Sequence, residues 1–309
     1  MTEKGSGRNH TGPADAETLS CPLSDGRRLG YAVYGDPDGV PLMLFHGTPN
    51  SRLMFGASHE LAWLLGIRLI APDRPGIGLS DPKPGRRIVD WPADVTELAD
   101  HIGVDRFAIA GVSGGGPYAI ACARFIPERL HAVGVISGMG PVHDAPILKR
   151  PLLPRIRALF ELARIGGMPY TMVARVSALA ARWWPQTMLS SISLSGPQES
   201  SEFMATTAWD ALEMGLLDAF RQGHAGPAEE LRLLAGAWNF VPEEVRTRVV
   251  LWHGEADAIV PVEMTRHLAG RIGGCEAHFI ADAGHFLGLS HARSILTTLA
   301  SLPTTSRAI

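Results

Sequence analysis

Apolar residues are spaced along this chain in two ways. At residues 41–45, 67–71, 107–112, 130–136, 248–252 and 277–280 they form short, nearly unbroken runs, each closed by polar or turn-forming residues. Runs of that length predict strands, with those at 41–45 and 67–71 expected to be buried on both faces. Between them, at residues 61–65, 91–102, 114–124, 262–272 and 286–302, the pattern is helical, and Pro92 suits a first-turn position. Strand–helix alternation predicts an α/β architecture: a doubly wound, mostly parallel sheet of about eight strands with helices on both faces. Residues 17–24 and 27–34 flank Asp25-Gly26, a two-residue hairpin signal, so the sheet is expected to start antiparallel.

The rhythm changes near Pro141. From Val142 to about Trp238 no buried strand is legible; helical stripes appear instead. One comprises Leu152, Ile156, Leu159/Phe160 and Ala163. A second comprises Met172, Val176, Leu179/Ala180 and Trp183, and a third Trp209, Leu212, Leu216 and Phe220. Together they predict an inserted helical cap over residues 142–241, splitting a core of residues 17–141 and 242–303. Residues 1–16 and 304–309 are expected to be tails. Trp183, Trp184, Trp209 and Trp238, with several Met, suggest an apolar pocket roof.

Composition narrows the class. With 309 residues and 46% hydrophobic content, the chain can bury one large α/β core with an insertion, or two domains. The net charge of −3 and unclustered basic residues argue against a nucleic-acid or anionic-membrane partner. Cys21, Cys122 and Cys275 are far apart and odd in number, which fits buried thiols in a reducing compartment and neither disulfides nor a metal site. Residues 1–16 lack a signal-peptide core, and no apolar run is long enough to span a membrane. A cytoplasmic protein is the expectation.

The chemistry centres on AIAGVSGGGPY, residues 108–118. A strand that reverses into a helix within one residue holds Ser113 in strained backbone, and side chains two before and two after it would collide. Gly111 and Gly115 stand at those positions. The Gly114 N–H then lies at a helix N-terminus, where negative charge is favoured. A phosphate-binding loop would need Gly-Lys-Ser/Thr here, but Gly116 is followed by Pro117 and Tyr118; the acid of a dinucleotide fingerprint is also missing, the next strand ending in Ser137-Gly138.

Two later strands end in polar groups: residues 248–252 lead to Asp257 and residues 277–280 to His285. Ligand chemistry in open α/β sheets collects at that edge. A serine hydroxyl needs a base poised near neutral pH, and the base needs an acid to hold its tautomer. Ser113, Asp257 and His285 supply those types in that order. Glu255 is the rival acid, and His278 and His291 are the rival bases.

In that order of nucleophile, acid and base, the chain resembles the α/β-hydrolase superfamily, in its serine-nucleophile, helical-cap branch. His46-Gly47-Thr48-Pro49 resembles the family's HG-x-P loop, and Asp73-Arg74-Pro75-Gly76-Ile77-Gly78-Leu79-Ser80 its D-x-x-G-x-G-x-S loop. The resemblance implies an oxyanion hole formed by the backbone N–H groups of Thr48 and Gly114, with His46 and Gly47 supporting the loop. Serine at position 113 argues against the family's haloalkane dehalogenases and epoxide hydrolases, which carry aspartate there. Asp73 and Asp81 are expected to brace their loop, His253 to be a loop residue, and His224 to lie in a solvated turn.

The expected function is hydrolysis of a small, largely apolar carboxylic ester or lactone through an acyl-enzyme on Ser113, with no metal or organic cofactor. Alternatives with the same triad are a proline-iminopeptidase-like peptidase, a carbon–carbon bond hydrolase, an acyltransferase, or a small-molecule receptor with little turnover. The peptidase is disfavoured: its oxyanion loop reads HGGPG, here it is HGTPN, and Glu202, Asp210, Glu213, Asp218, Glu229 and Glu230 show no clustering in the cap. Substrate identity and oligomeric state are not legible at this level.

Overall fold

A computed structural model describes residues 17–193 and 207–301. The expected tails and Glu202 lie outside the described residues. Eight strands form one sheet: β1 (Glu17–Pro22), β2 (Arg28–Gly35), β3 (Val40–Phe45), β4 (Ile67–Pro72), β5 (Phe107–Val112), β6 (Leu130–Ile136), β7 (Val249–Gly254) and β8 (Glu276–Ile280). Their spatial order is β1-β2-β4-β3-β5-β6-β7-β8. The β1–β2 and β2–β4 pairs are antiparallel and every other pair is parallel.

Both faces of the sheet are covered, which is why its central strands read as unbroken apolar runs. Every residue of β7 is buried. Helices α1 (His59–Leu64), α2 (Trp91–His101) and α3 (Gly116–Phe125) belong to the first half of the core. Trp91, Val95, Leu98, Tyr118 and Ile120 of α2 and α3 pack on one face of the sheet. Ala62 of α1 packs on the opposite face, with Ile295, Leu296 and Leu299 from the end of the chain. The expected doubly wound, mostly parallel sheet is the one found.

Between β6 and β7 the described residues form five α-helices: α4 (Pro154–Ile165), α5 (Gly167–Trp183), α6 (Pro185–Ser193), α7 (Thr207–Ala219) and α8 (Ala225–Ala235). After β7 come α9 (Val262–Ala269), α10 (Leu287–Ser290) and α11 (Ala292–Ser301).

Several local expectations change. The β1–β2 connection is a three-residue loop, Ser24-Asp25-Gly26: Leu23 N–H donates to Arg27 O and Gly26 N–H to Leu23 O, with Gly26 in the left-handed region at φ 86°. The helix expected over residues 286–302 is two helices, separated at His291. The second helical stripe points the wrong way. Tyr170, Ala174 and Ala181 are the buried residues of α5, whereas Met172, Val176, Leu179 and Trp183 are 48%, 60%, 56% and 65% exposed. Trp184 is also exposed, Trp209 packs among α6 and α7, and Trp238 is buried in the core.

Candidate active site

Ser113 follows β5 directly and opens a short 3-10 turn into α3. Its φ is 53°, the left-handed region that a serine occupies only when its surroundings impose it. Those surroundings are tight. A Cβ at Gly111 would come within 2.2 Å of Gly115 O, and one at Gly115 within 2.4 Å of Phe45 O. Only glycine lets β5, the turn and β3 approach this closely, so the sharp reversal that projects the Ser113 hydroxyl follows from those two positions.

Ser113 Oγ lies 3.1 Å from His285 Nε2, and His285 Nδ1 lies 2.8 Å from Asp257 Oδ2. A carboxylate can only accept, so Nδ1 carries the proton, and in the neutral imidazole Nε2 then accepts from the serine hydroxyl. Asp257 sits in the turn after β7, and its Oδ1 accepts the backbone N–H of Ile259 and Val260, both at 2.9 Å. Burial works to raise the Asp257 carboxyl, but the His285 and His253 imidazoles hold it well below the usual range.

The rivals point elsewhere. Glu255 is exposed and paired with Arg266 at 2.5 Å. His278 is exposed, stacked on Trp252 at 5.6 Å, and His291 bonds the neighbouring Ser290 hydroxyl. His253 is not a loop residue: it lies in β7, fully buried. Its Nε2–H donates to Val260 O at 2.8 Å with Asp257 Oδ2 at 3.1 Å, while Nδ1 accepts from Thr265 Oγ1 at 2.6 Å.

The loop after β3 passes beside the serine. A Cβ on Gly47 would lie 3.5 Å from Ser113 Cβ, and one on Gly114 would lie 2.5 Å from Thr48 Oγ1. Gly114 N–H is in the first turn of the helical segment, where backbone donors have no intrahelical partner. His46 Nδ1–H donates to Gly47 O at 2.8 Å, and His46 Nε2 accepts from Arg74 N–H at 3.2 Å. Burial, reinforced by the nearby Arg74 cation, holds the His46 pKa well below its ordinary value, so this hydrogen-bond pattern belongs to a neutral ring.

Sequence reasoning missed the charged residues behind this loop. The Arg74 guanidinium is fully buried and donates from Nη1 to His46 O at 2.6 Å and from Nη2 to Gly47 O at 3.2 Å and Thr48 Oγ1 at 3.1 Å. Its Nε donates to Glu230 Oε2 at 2.7 Å, and Thr48 Oγ1–H reaches the same oxygen at 3.2 Å. Arg86 and the Tyr118 hydroxyl donate to Glu230 Oε1. Burial alone would raise the Glu230 carboxyl, but Arg74 and Arg86 bring it down to about 2. A second buried cluster joins Arg52 to Asp73 and to Asp218 of α7, each at 2.6 Å. Asp73 also accepts the Leu79 N–H, and Asp81 accepts the Arg28 N–H. No local pattern separates a buried arginine from a surface one, and the insertion carboxylates that pair with these arginines, Glu230 and Asp218, are more than 100 residues away in sequence.

Ser113, Thr48 and Pro49 border two cavities. The smaller, of about 110 Å³, runs into the core past His285, Phe286, Leu289 and Leu296. The larger, of about 350 Å³, lies under the inserted helices past Gly114, Leu159, Tyr170, Ala174 and Leu231. Among the described residues no acidic side chain lines either, and none of the four expected roof tryptophans does. His224 is half-buried and lines the larger cavity. Among the described residues no cluster of His, Cys, Asp and Glu could hold a metal ion, and no helix is long and apolar enough to cross a membrane.

Comparison with known proteins agrees with this arrangement. A non-heme chloroperoxidase of Streptomyces lividans is 34% identical over 127 residues, 38% of this chain and 44% of the relative, so the chain matches less than half of that enzyme's length. Among solved structures, a thermophilic esterase from Thermogutta terrifontis superposes with a TM-score of 0.66 at 23% identity, covering 92% of this chain and 96% of the other. The enol-lactonase of Burkholderia xenovorans superposes with a TM-score of 0.65 at 18% identity, covering 92% and 99%. The family model described as alpha/beta hydrolase fold matches residues 40–292. Sheet order, sharp turn after β5 and family match converge: the chain belongs to the alpha/beta hydrolase family.

Proposed function

We propose that the protein is a serine hydrolase that cleaves a small, largely apolar carboxylic ester or lactone. The observation that carries this reading is the continuous chain Asp257–His285–Ser113, at 2.8 and 3.1 Å, opening onto two cavities whose described lining is largely apolar. Ser113 Oγ attacks the carbonyl carbon as His285 Nε2 takes its proton. Asp257 keeps the second imidazole proton on Nδ1 and stabilises the imidazolium. The N–H groups of Gly114 and Thr48 receive the carbonyl oxygen as it gains charge. His285 returns the proton to the leaving oxygen, then activates water to release the acid and free Ser113.

Proton return assigns the cavities. The leaving oxygen must sit beside His285, so the alcohol part enters the smaller cavity, which His285 and Phe286 line. The acyl part extends past Gly114 into the larger one. Esters with a longer acyl chain and a short alcohol are the expected substrates. The ester-cleaving neighbours named above, an esterase and a lactonase, support the reaction class. The peptidase alternative needs a buried acid free to bind an amine, but Asp218 and Glu230 are both committed to arginines.

Labelling by a fluorophosphonate, with wild type beside Ser113→Ala and His285→Ala, tests the reading. Labelling that requires both side chains is expected, followed by faster hydrolysis of ethyl hexanoate than of hexyl acetate. An unlabelled, folded wild type would favour the receptor alternative.

A further inference from the structure

On the serine-hydrolase reading, we propose that Glu230 is a positioning residue through which the helical insertion sets the oxyanion loop: α8 seats Glu230, Glu230 aims Arg74, and Arg74 fixes the direction of the Thr48 N–H.

The last link follows from peptide geometry. Gly47 C=O and Thr48 N–H belong to one planar peptide unit, so they point in opposite directions and turn together. Gly47 O is held from behind by His46 Nδ1–H at 2.8 Å and Arg74 Nη2 at 3.2 Å. Holding that oxygen aims the N–H the other way. Arg74 also ties down the preceding carbonyl, His46 O, at 2.6 Å, and the Thr48 hydroxyl at 3.1 Å. One rigid guanidinium fork therefore registers three successive residues of the loop.

The fork itself must be aimed. Its Cζ lies 4.7 Å from the centre of the Tyr118 ring, a stacking contact that does not by itself fix the direction of the N–H groups. Among the described residues its carboxylate partner is Glu230, 2.7 Å from Nε, and Glu230 takes the Thr48 hydroxyl as well. Glu230 is 1% exposed and belongs to α8, whereas Arg74, Arg86, Tyr118 and Thr48 all belong to the core. Among the described residues of the insertion, Glu230 is the one that bonds residues 46–48 or Arg74. Asp218 of α7 also ties the insertion to the core, but through Arg52 and Asp73, and it makes no bond to residues 46–48.

That second tie supplies the control. Glu230→Gln and Asp218→Asn each neutralise a buried insertion carboxylate paired to core arginines, but only the first touches the loop. Steady-state kinetics on a soluble ester, fluorophosphonate titration of competent sites, and inhibition by a trifluoromethyl ketone separate the roles, because the ketone's hemiketal oxyanion occupies the same hole. Glu230→Gln is expected to lower kcat by ~10–10²-fold with KM little changed. Ketone affinity should fall by a similar factor, and the labelled fraction should stay complete. Asp218→Asn should leave kcat and ketone affinity near wild type. Should Glu230→Gln fail to fold, Arg74→Lys reads the same link from the core side, since one ammonium cannot hold His46 O, Gly47 O and Thr48 Oγ1 together. Wild-type kcat and ketone affinity in a fully titrated Glu230→Gln or Arg74→Lys overturn the proposal, as does an equal loss in Asp218→Asn. A wild type that hydrolyses no ester and takes no label at Ser113 instead overturns the serine-hydrolase reading.

Discussion

Two buried carboxylates flank Ser113, and they are wired differently. Asp257 is held by two backbone N–H groups and two imidazoles. Glu230 is held by two arginines and a tyrosine hydroxyl. Backbone dipoles stabilise a carboxylate while leaving its imidazole partner able to gain and lose a proton, which a catalytic cycle requires. Arginines cannot lose their charge, so the Glu230 cluster stores no proton and works as a fastener. On the serine-hydrolase reading, one side of the site is built to change charge and the other to keep its shape.

The largest expected break is at the reacting atom. Ser113→Ala should lower kcat by ~10⁶-fold while leaving the urea midpoint unchanged, read by ester hydrolysis and denaturation on the same sample. Asp257→Asn should cost ~10⁴-fold, because an amide no longer enforces the Nδ1–H tautomer of His285. A loss under tenfold would place the supporting acid elsewhere.

The fastener should fail in stability as well as in rate. Glu230→Gln strands Arg74 and Arg86 without a carboxylate and should destabilise the fold by about 3–5 kcal/mol, measured as a fall in the urea midpoint. The pH dependence has a definite sign. Glu230 falls from its ordinary 4.5 to about 2 on folding, so its contribution is whole above about 4.5 and is lost as pH drops toward about 2. Wild-type stability should therefore decline over that window, and Glu230→Gln should decline less steeply. The smallest effect is expected on the outer face of α5. Leu179→Lys and Trp183→Lys should shift stability by no more than about 0.5 kcal/mol, because neither side chain is buried against the protein.

Legibility in the sequence followed the range of the forces involved. The central strands of the parallel sheet were legible because burial on both faces writes an unbroken apolar run, whereas the edge strand β8 is half-exposed. The turn at Ser113 was legible because close approach leaves nothing but glycine at 111 and 115. The α5 stripe shows the limit: residues 172, 176, 179 and 183 share one side of a helix, but periodicity does not say whether that side meets the core or solvent. In α5 the small residues Ala174 and Ala181 let the helix pack closely beside Tyr170, while Met172, Val176, Leu179 and Trp183 face out. The four tryptophans misled for a similar reason, since size favours burial but does not select a cavity wall.

By itself, then, the sequence determined the family, the sheet, and the order of Ser113, Asp257 and His285, because each rests on spacing within a strand, a helix or a single turn. The tertiary structure decided which of Asp257 and Glu255 faces His285, which way α5 turns, and how Glu230 meets Arg74 across 156 residues of chain. Those outcomes depend on which buried charge finds which partner, and a buried charge is compensated only by groups that the complete fold brings within hydrogen-bond reach.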